Sequence, residues 1–183
     1  MDVYDLITER ASKSPVGSNS LIFNPSLGGG MPMNKSYNLR GGYVGLDLIH
    51  KREDIIRATM EGITMGLRCC LDEIRKMTDI GDEMLLVGGG SKSALWRQIY
   101  ADIYNVNVVK SNIDEQAAAL GAAACAAVGV GLWKDFDRID DLHTIEEYVK
   151  PVPENVEFYN KEMKIYNKVT DMFCDIGDML VKL

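Results

Sequence analysis

The chain has 183 residues, 46% hydrophobic and 26% charged, which fits a single globular domain and excludes disordered and fibrous proteins. Its 27 acidic and 20 basic residues give a net charge of −7, which argues against partners such as nucleic acid or a membrane surface. Four scattered cysteines and two isolated histidines form neither a disulfide framework nor a metal-ligand pattern. With no signal peptide at its N-terminus, the chain is expected to be cytoplasmic and to contain no protein-bound metal.

The N-terminal part predicts little regular structure. Residues 1–20 fit a short amphipathic helix followed by a polar connector that contains Pro15 and Gly17. A brief apolar run at residues 21–23 precedes a long glycine-rich loop, and residues 43–48 alternate enough to predict a strand. Long loops inside a compact domain are often functional.

Residues 51–77 predict the longest uninterrupted helix before the C-terminal region. Apolar residues recur there at steps of three and four, which is the spacing of one helix face. Gly62 and Gly66 lie one turn apart, and each weakens a helix by ~1 kcal/mol relative to alanine. We therefore expect another element to cross this helix closely at the two glycines.

A β-α-β unit is predicted next. Residues 84–87 form a short apolar run, which favours a strand buried on both faces. Three glycines, Gly88 to Gly90, follow it, and Ser91 or Ser93 can cap the next helix. Residues 106–109 predict the second strand. Such a crossover is right-handed and pairs its strands in parallel.

A further helix is predicted over residues 115–131, with Asn112 or Asp114 as its cap. The charge-free stretch 117–133 within this region is shorter than the ~20 residues of a membrane span, so it predicts a buried helix of a soluble protein. The element order β-α-β-α indicates an α/β domain.

The C-terminal region predicts one long helix. Residues 134–141 are acidic and irregular, and an apolar stripe then begins after Pro153 and continues to the end of the chain. We therefore divide the chain into an N-terminal helix and connector, residues 1–20, a central domain, residues 21–153, and a C-terminal helix, residues 154–183, that packs on the central domain.

The junction from Gly88 to Gly90 is the strongest local candidate for a binding site. A glycine turn lets the backbone approach a ligand, and the start of the following helix attracts anionic or polar groups. The turn matches neither the GxGxxG nor the GxxxxGK[ST] pattern. On this local pattern alone, a ligand-binding turn and a plain strand-to-helix turn both remain open.

Longer motifs extend this site. Residues 87–102 (VGGGSKSALWRQIYAD) and 115–123 (EQAAALGAA), preceded by residues 40–46 (RGGYVGL) and by Glu61-Gly62, resemble the C-terminal half of the FGGY carbohydrate kinases. The resemblance extends from about residue 21 to 131. Within the family, the sequence resembles the xylulose-kinase-like branch in particular.

The resemblance implies an α/β fold of the actin-like ATPase (ribonuclease H-like) type, with a mixed sheet flanked by helices. It implies that ATP, with Mg²⁺, lies between two lobes and passes its γ-phosphate to a sugar hydroxyl. Gly88, Gly89, Gly90 and Ser93 would then be cofactor-binding residues. Gly89 and Gly90 would lie against the adenine or ribose, and Ser93 would lie near the adenine.

The resemblance also implies what this sequence lacks. In the family, an N-terminal lobe supplies the first phosphate hairpin, most of the sugar site and the catalytic aspartate, and none of those motifs occurs here. Asp114 precedes a small-residue helix but is better explained as a helix cap, so no catalytic residue is assigned. We expect this lobe to have no kinase activity alone and to bind ATP weakly.

The implied substrate is a small sugar, a ketopentose such as xylulose, reached through the missing lobe. However, residues 28–32 (GGGMP) differ from the glycine–glutamate–arginine pattern common among xylulose kinases, so gluconate, ribulose and glycerol remain alternatives. A stand-alone regulatory or interaction module of the same fold is the alternative of a different class. A lobe without its partner should expose apolar side chains, and self-association as a homodimer is therefore expected to be possible.

Overall fold

A computed structural model describes residues 2–113 and 115–183 of the chain. The helices are α1 (Val3–Ala11), α2 (Arg52–Arg75), α3 (Ala94–Tyr104), α4 (Ala117–Gly129) and α5 (Pro153–Leu180). The strands are β1 (Ile22–Asn24), β2 (Gly42–Val44), β3 (Glu83–Leu85), β4 (Asn107–Ser111) and β5 (Ile145–Val149). Short 3₁₀ turns lie at Ser18–Ser20, Gly89–Lys92 and Asp137–Leu142.

The strands form two small sheets. β1 and β2 pair as an antiparallel hairpin, with Phe23 opposite Tyr43. In the second sheet β4 lies in the middle, parallel to β3 and antiparallel to β5. The predicted β-α-β unit is therefore confirmed. The antiparallel third strand, β5, was missed because Glu146 and Glu147 interrupt its apolar pattern, as a solvated edge strand allows.

Two strand predictions are corrected. Residues 84–87 are not buried on both faces, since Leu85 and Val87 are exposed and only Met84 and Leu86 pack on the core. Among the described residues, no element packs closely enough on the outer face of β3 to bury Leu85 and Val87. The strand predicted at residues 43–48 is shorter, Gly42–Val44, because the chain turns at Gly45 with a φ of 92°.

Helix α4 also differs from its prediction. Throughout its length only Ala124 and Ala127 are buried, so the helix predicted to be buried lies largely on the surface. Asn112 does not cap it, because its side chain bonds the Leu142 carbonyl at 3.2 Å and the Thr144 amide at 2.8 Å. The other cap candidate, Asp114, lies outside the described residues.

Within the part of the chain that the structure describes, none of the helices combines the length and the apolar character needed to cross a membrane.

The main core joins the N-terminal, central and C-terminal elements. Buried apolar side chains from α1, α2, α3, β4 and α5 meet in it, among them Ala11, Met60, Ile99 and Tyr159. Other elements cross α2 closely at both of its glycines, Gly62 and Gly66, as predicted. A Cβ at Gly62 would overlap the Phe23 carbonyl of β1, and one at Gly66 would lie 3.1 Å from the Tyr166 hydroxyl of α5.

The connector after α1 contains an unusual left-handed turn. Gly17, Ser18, Asn19 and Ser20 have φ angles of 75°, 49°, 55° and 70°, a conformation that costs L-residues roughly 1–2 kcal/mol each. Such a run persists only where the surrounding structure holds it.

One buried carboxylate holds this turn. Glu61 of α2 accepts hydrogen bonds from the Gly17 amide at 3.1 Å and from the Ser18 hydroxyl at 2.7 Å. It also accepts from the Tyr159 hydroxyl at 2.6 Å and from the Arg57 guanidinium at 2.7 Å. The carboxylate therefore ties the connector, α2 and α5 together.

The apolar stripe predicted on α5 docks along most, but not all, of its length. Tyr159, Met163, Tyr166 and Val169 are buried, whereas the stripe becomes half-exposed from Ile176 onward. The N-terminal part of α5 therefore provides most of its contacts with the core.

Candidate functional site

The glycine turn between β3 and α3 has a defined shape. Gly88 adopts a φ of 90° with a ψ of −179°, a combination open essentially to glycine alone. The carbonyl of Gly88 accepts hydrogen bonds from the Ser91 amide at 3.0 Å and from the Ser91 hydroxyl at 2.7 Å. Ser91 is fully buried, so it closes the turn from the protein side.

Ser93 is the cap of α3. Its hydroxyl oxygen accepts a hydrogen bond from the Trp96 amide at 3.2 Å and another from the Thr8 hydroxyl of α1, also at 3.2 Å. Of the two predicted cap residues, Ser93 is therefore the one that performs this role. A serine hydroxyl can also donate one hydrogen bond.

A cleft of about 670 Å³ lies between α1 and the glycine turn. Gly89, Gly90 and Ser93 line it, so the structure brings together three of the four residues predicted from the sequence, while Gly88 shapes the turn behind them. The rest of the wall includes residues of α1, Met60 of α2, Trp96 of α3 and Glu115.

Sequence reasoning did not identify α1 as a wall of this cleft. Tyr4, Ile7 and Thr8 face the glycine turn across the cleft although about 85 residues separate them from it. The one local signal is that the apolar side of α1 is not buried: Val3 and Tyr4 are mostly exposed, as expected for a helix that borders a cleft.

The backbone at Gly89 is open to the cleft. A Cβ built at Gly89 would meet no atom within 4 Å, and its φ is not positive. Neither packing within the chain nor backbone geometry therefore requires glycine at this position. A Cβ at Gly90, in contrast, would reach ordinary contact with Trp96 at 3.5 Å. The bare backbone at Gly89 leaves room for a ligand to approach.

The charges around the cleft are mostly negative and mostly paired. Asp5 accepts a hydrogen bond from the Asp2 amide at the start of α1, and Glu9 pairs with Lys13 at 3.0 Å. Lys92 pairs with Glu115 across the mouth at 2.8 Å. Acidic groups on the α1 side suit hydroxyl and amino groups as partners and disfavour phosphates there.

Residues 2–113 and 115–183 contain no group of three or more His, Cys, Asp or Glu residues arranged to hold a metal ion. Mg²⁺ in nucleotide sites is commonly held by phosphates and water with only one or two carboxylates, so this arrangement is compatible with a nucleotide-borne ion.

A second, smaller cleft of about 290 Å³ lies between the glycine-rich loop and helices α2 and α5. Gly28, Gly29 and Met31 of the loop line it together with Leu67 and Tyr166. Among the described residues that line this cleft, none has a charged side chain.

Comparisons with known proteins relate the chain to one family of kinases. The model of the FGGY family of carbohydrate kinases, C-terminal domain, matches residues 2–130. A xylulose kinase of Staphylococcus epidermidis is 32% identical over 170 residues, which cover 91% of this chain and 34% of that protein. A gluconokinase of Bacillus subtilis is 29% identical over 167 residues, which cover 91% of this chain and 32% of the relative.

Among solved structures, the ligand-bound xylulose kinase of Lactobacillus acidophilus superposes with a TM-score of 0.78 at 30% identity, over 92% of this chain and 34% of the other. The chain therefore spans about a third of the length of the relatives that it matches.

Proposed function

Since the chain belongs to the FGGY family of carbohydrate kinases as a C-terminal domain, with the actin-like ATPase fold of its structural relatives, we propose that the cleft between α1 and the glycine turn binds the nucleoside part of ATP. Gly88, Gly89, Gly90 and Ser93 are the proposed binding residues. The lobe would then present the γ-phosphate to a sugar hydroxyl held by an N-terminal lobe.

The open backbone at Gly89 carries this proposal. It lies at the start of the short 3₁₀ turn that precedes α3, near the Ser93 hydroxyl, in a cleft whose volume falls in the ~300–1,000 Å³ range of small-ligand sites.

The proposed reaction is transfer of the ATP γ-phosphate to a hydroxyl of a ketopentose such as xylulose, in the cytoplasm. Mg²⁺ would neutralise the phosphates, and this chain's residues would bind and orient the nucleotide. Similarity to named xylulose kinases supports the substrate. Gluconate is the second candidate, because the gluconokinase of Bacillus subtilis is nearly as similar to the chain.

Exposed apolar surface supports the involvement of a second lobe. Helix α4 is apolar but mostly unburied, and Leu85 and Val87 of the β3 region are also exposed. Exposed apolar surface often marks a site of contact with a partner. We propose an N-terminal kinase lobe as that partner; a homodimer of this chain, or a stand-alone interaction module, is the alternative.

Gly89→Val is expected to weaken ATP binding by about tenfold or more, which corresponds to ~1.4 kcal/mol or more. The added side chain fills space that the nucleoside would occupy and should not disturb packing, because a Cβ at Gly89 meets no atom. An ATP titration followed by amide NMR measures the change, with the first shifts expected at Gly88 to Ser93.

Gly121→Ala is the matched control, since a Cβ at Gly121 also meets no atom and the residue lies on α4, outside the cleft. It should bind ATP like the unchanged chain. Equal binding by the Gly89→Val variant, or first shifts remote from the turn, would refute the placement.

The chain alone is expected to transfer no phosphate to xylulose or gluconate. Phosphoryl transfer requires a base on the acceptor hydroxyl and a closed site around the phosphates, and the resemblance assigns the catalytic aspartate to an N-terminal lobe and not to this cleft. A coupled assay for ADP measures this. Turnover above a blank that disappears in the Gly89→Val variant would show that the lobe suffices.

A further inference from the structure

Arg97 on α3 contacts the glycine turn from inside the protein. It lies one turn after the Ser93 cap and is almost fully buried. One guanidinium nitrogen, Nη1, donates to the carbonyl of Ser91 at 2.6 Å, and Nη2 bonds the Glu147 carboxylate of β5 at 2.6 Å. The arginine thus joins the turn to the edge strand of the sheet.

The contact extends the hydrogen bonds that the turn makes with itself, among them the one from the Ser93 amide to the Gly90 carbonyl at 3.3 Å. Ser91 bonds the Gly88 carbonyl through both its amide and its hydroxyl, and Arg97 bonds the Ser91 carbonyl. Gly89 and Gly90, between these positions, have no side chain that could restrain them. The backbone from Gly88 to Ser91 is therefore held by a continuous chain of hydrogen bonds that ends at Arg97.

Stability alone does not account for an arginine at this position. Its Nε atom is buried and finds no hydrogen-bond partner among residues 2–113 and 115–183, and a buried donor without a partner lowers stability. The guanidinium nevertheless offers what an apolar side chain would not: two charge-assisted hydrogen bonds in a fixed planar geometry.

We propose that Arg97 is a positioning residue for nucleotide binding, oriented by Glu147, and that it holds the glycine turn in the shape that receives the nucleotide. This proposal rests on the function proposed above. Arg97 does not line the cleft itself, so it acts through Ser91 and the turn.

Asp102 provides a matched control on the same helix. It is also buried, and it accepts hydrogen bonds from the Gln98 side chain, the Val152 amide and the Asn155 side chain, each at 2.8 Å. These contacts fix the start of α5 and do not involve the turn. Asp102→Asn should therefore destabilise the fold without loosening the turn selectively.

The test compares Arg97→Gln, Arg97→Lys, Glu147→Gln and Asp102→Asn by amide hydrogen exchange without nucleotide. Arg97→Gln should speed exchange at Ser91 and Ser93 by about tenfold more than at Val108 in β4, because local opening of the turn no longer breaks a charged hydrogen bond. Arg97→Lys should restore part of this protection. Glu147→Gln, whose side chain is half-exposed, keeps the fold and should give a smaller effect in the same direction.

The same variants are then titrated with ATP. The proposal predicts that affinity falls in the order of turn exchange, with Asp102→Asn unchanged when folded. Uniform exchange changes in the Arg97 variants, as in Asp102→Asn, would overturn it, and so would a loosened turn with unchanged ATP affinity. If the unchanged chain binds no ATP, the proposed function fails, and the exchange data still decide whether Arg97 holds the turn.

Discussion

Glu61→Ala is expected to lower the free energy of unfolding by about 3–5 kcal/mol, the cost typical of breaking a buried ion pair from one side. The substitution leaves the Arg57 guanidinium buried without its carboxylate and removes the acceptor for the Tyr159 hydroxyl. It also releases the Gly17 amide and the Ser18 hydroxyl, which hold the left-handed turn. Urea unfolding followed by circular dichroism measures the loss.

The control for this change is Glu73→Ala on the same helix. Glu73 pairs with Lys76 at 2.6 Å, but both side chains are at least half exposed, and such surface pairs contribute about 0–1 kcal/mol. Similar losses for the two variants would mean that the Glu61 network does not hold the connector.

Glu162→Gln is expected to make the chain more stable at pH 8.5 and to leave its stability nearly unchanged at pH 4. Burial, together with the neighbouring Glu61 carboxylate, raises the pKa of Glu162 from 4.5 to about 8, while Arg57 acts in the opposite direction. As the pH rises through this window, the unfolded chain releases the proton and the folded chain retains it. Stability therefore falls with pH, and the fall ends above pH 8.

The size of the effect follows from the width of that window. At about 1.4 kcal/mol per pH unit, a shift of this extent gives an upper limit of roughly 5 kcal/mol at pH 8.5. Thermal unfolding between pH 4 and pH 8.5 measures it, as a difference between the two proteins that grows with pH.

Glu157→Gln serves as its control, because Glu157 lies exposed on the same helix and a hydrogen bond from Lys161 lowers its pKa. Removing that carboxylate should leave the profile above pH 5 unchanged. Parallel pH profiles for the unchanged chain and for Glu162→Gln would contradict a protonated, buried Glu162.

Periodicity and turn residues were sufficient to predict the elements that bury one face. α2 and the long C-terminal helix repeat apolar residues at helical steps, and the glycines on α2 correctly indicated a close crossing. The same rules wrongly predicted that α4 is buried. An alanine-rich apolar helix has the same sequence pattern whether or not the surface that covers it belongs to this chain. They missed β5, whose acidic residues find partners in Arg97 of α3 and in Lys110 of the neighbouring strand β4.

The site was partly predictable for a similar reason. Gly88 to Ser93 are consecutive, so a local motif identifies them. The opposing wall, α1, meets them only through tertiary contacts such as that between Thr8 and Ser93. Arg97 lies four residues after Ser93, but its contact with Ser91 depends on the burial of its guanidinium, which no local sequence pattern indicates.

The contacts of Glu61 also constrain the order in which this polypeptide acquires its structure during synthesis. The carboxylate lies 43 residues after Ser18 and 98 residues before Tyr159. Helix α2 can form from neighbouring residues as soon as it leaves the ribosome, whereas closing a contact over so long a segment is slow. Until α5 has been translated, one side of the Glu61 carboxylate stays exposed to water. The core of the nascent chain likewise stays open at the position that Tyr159 later fills.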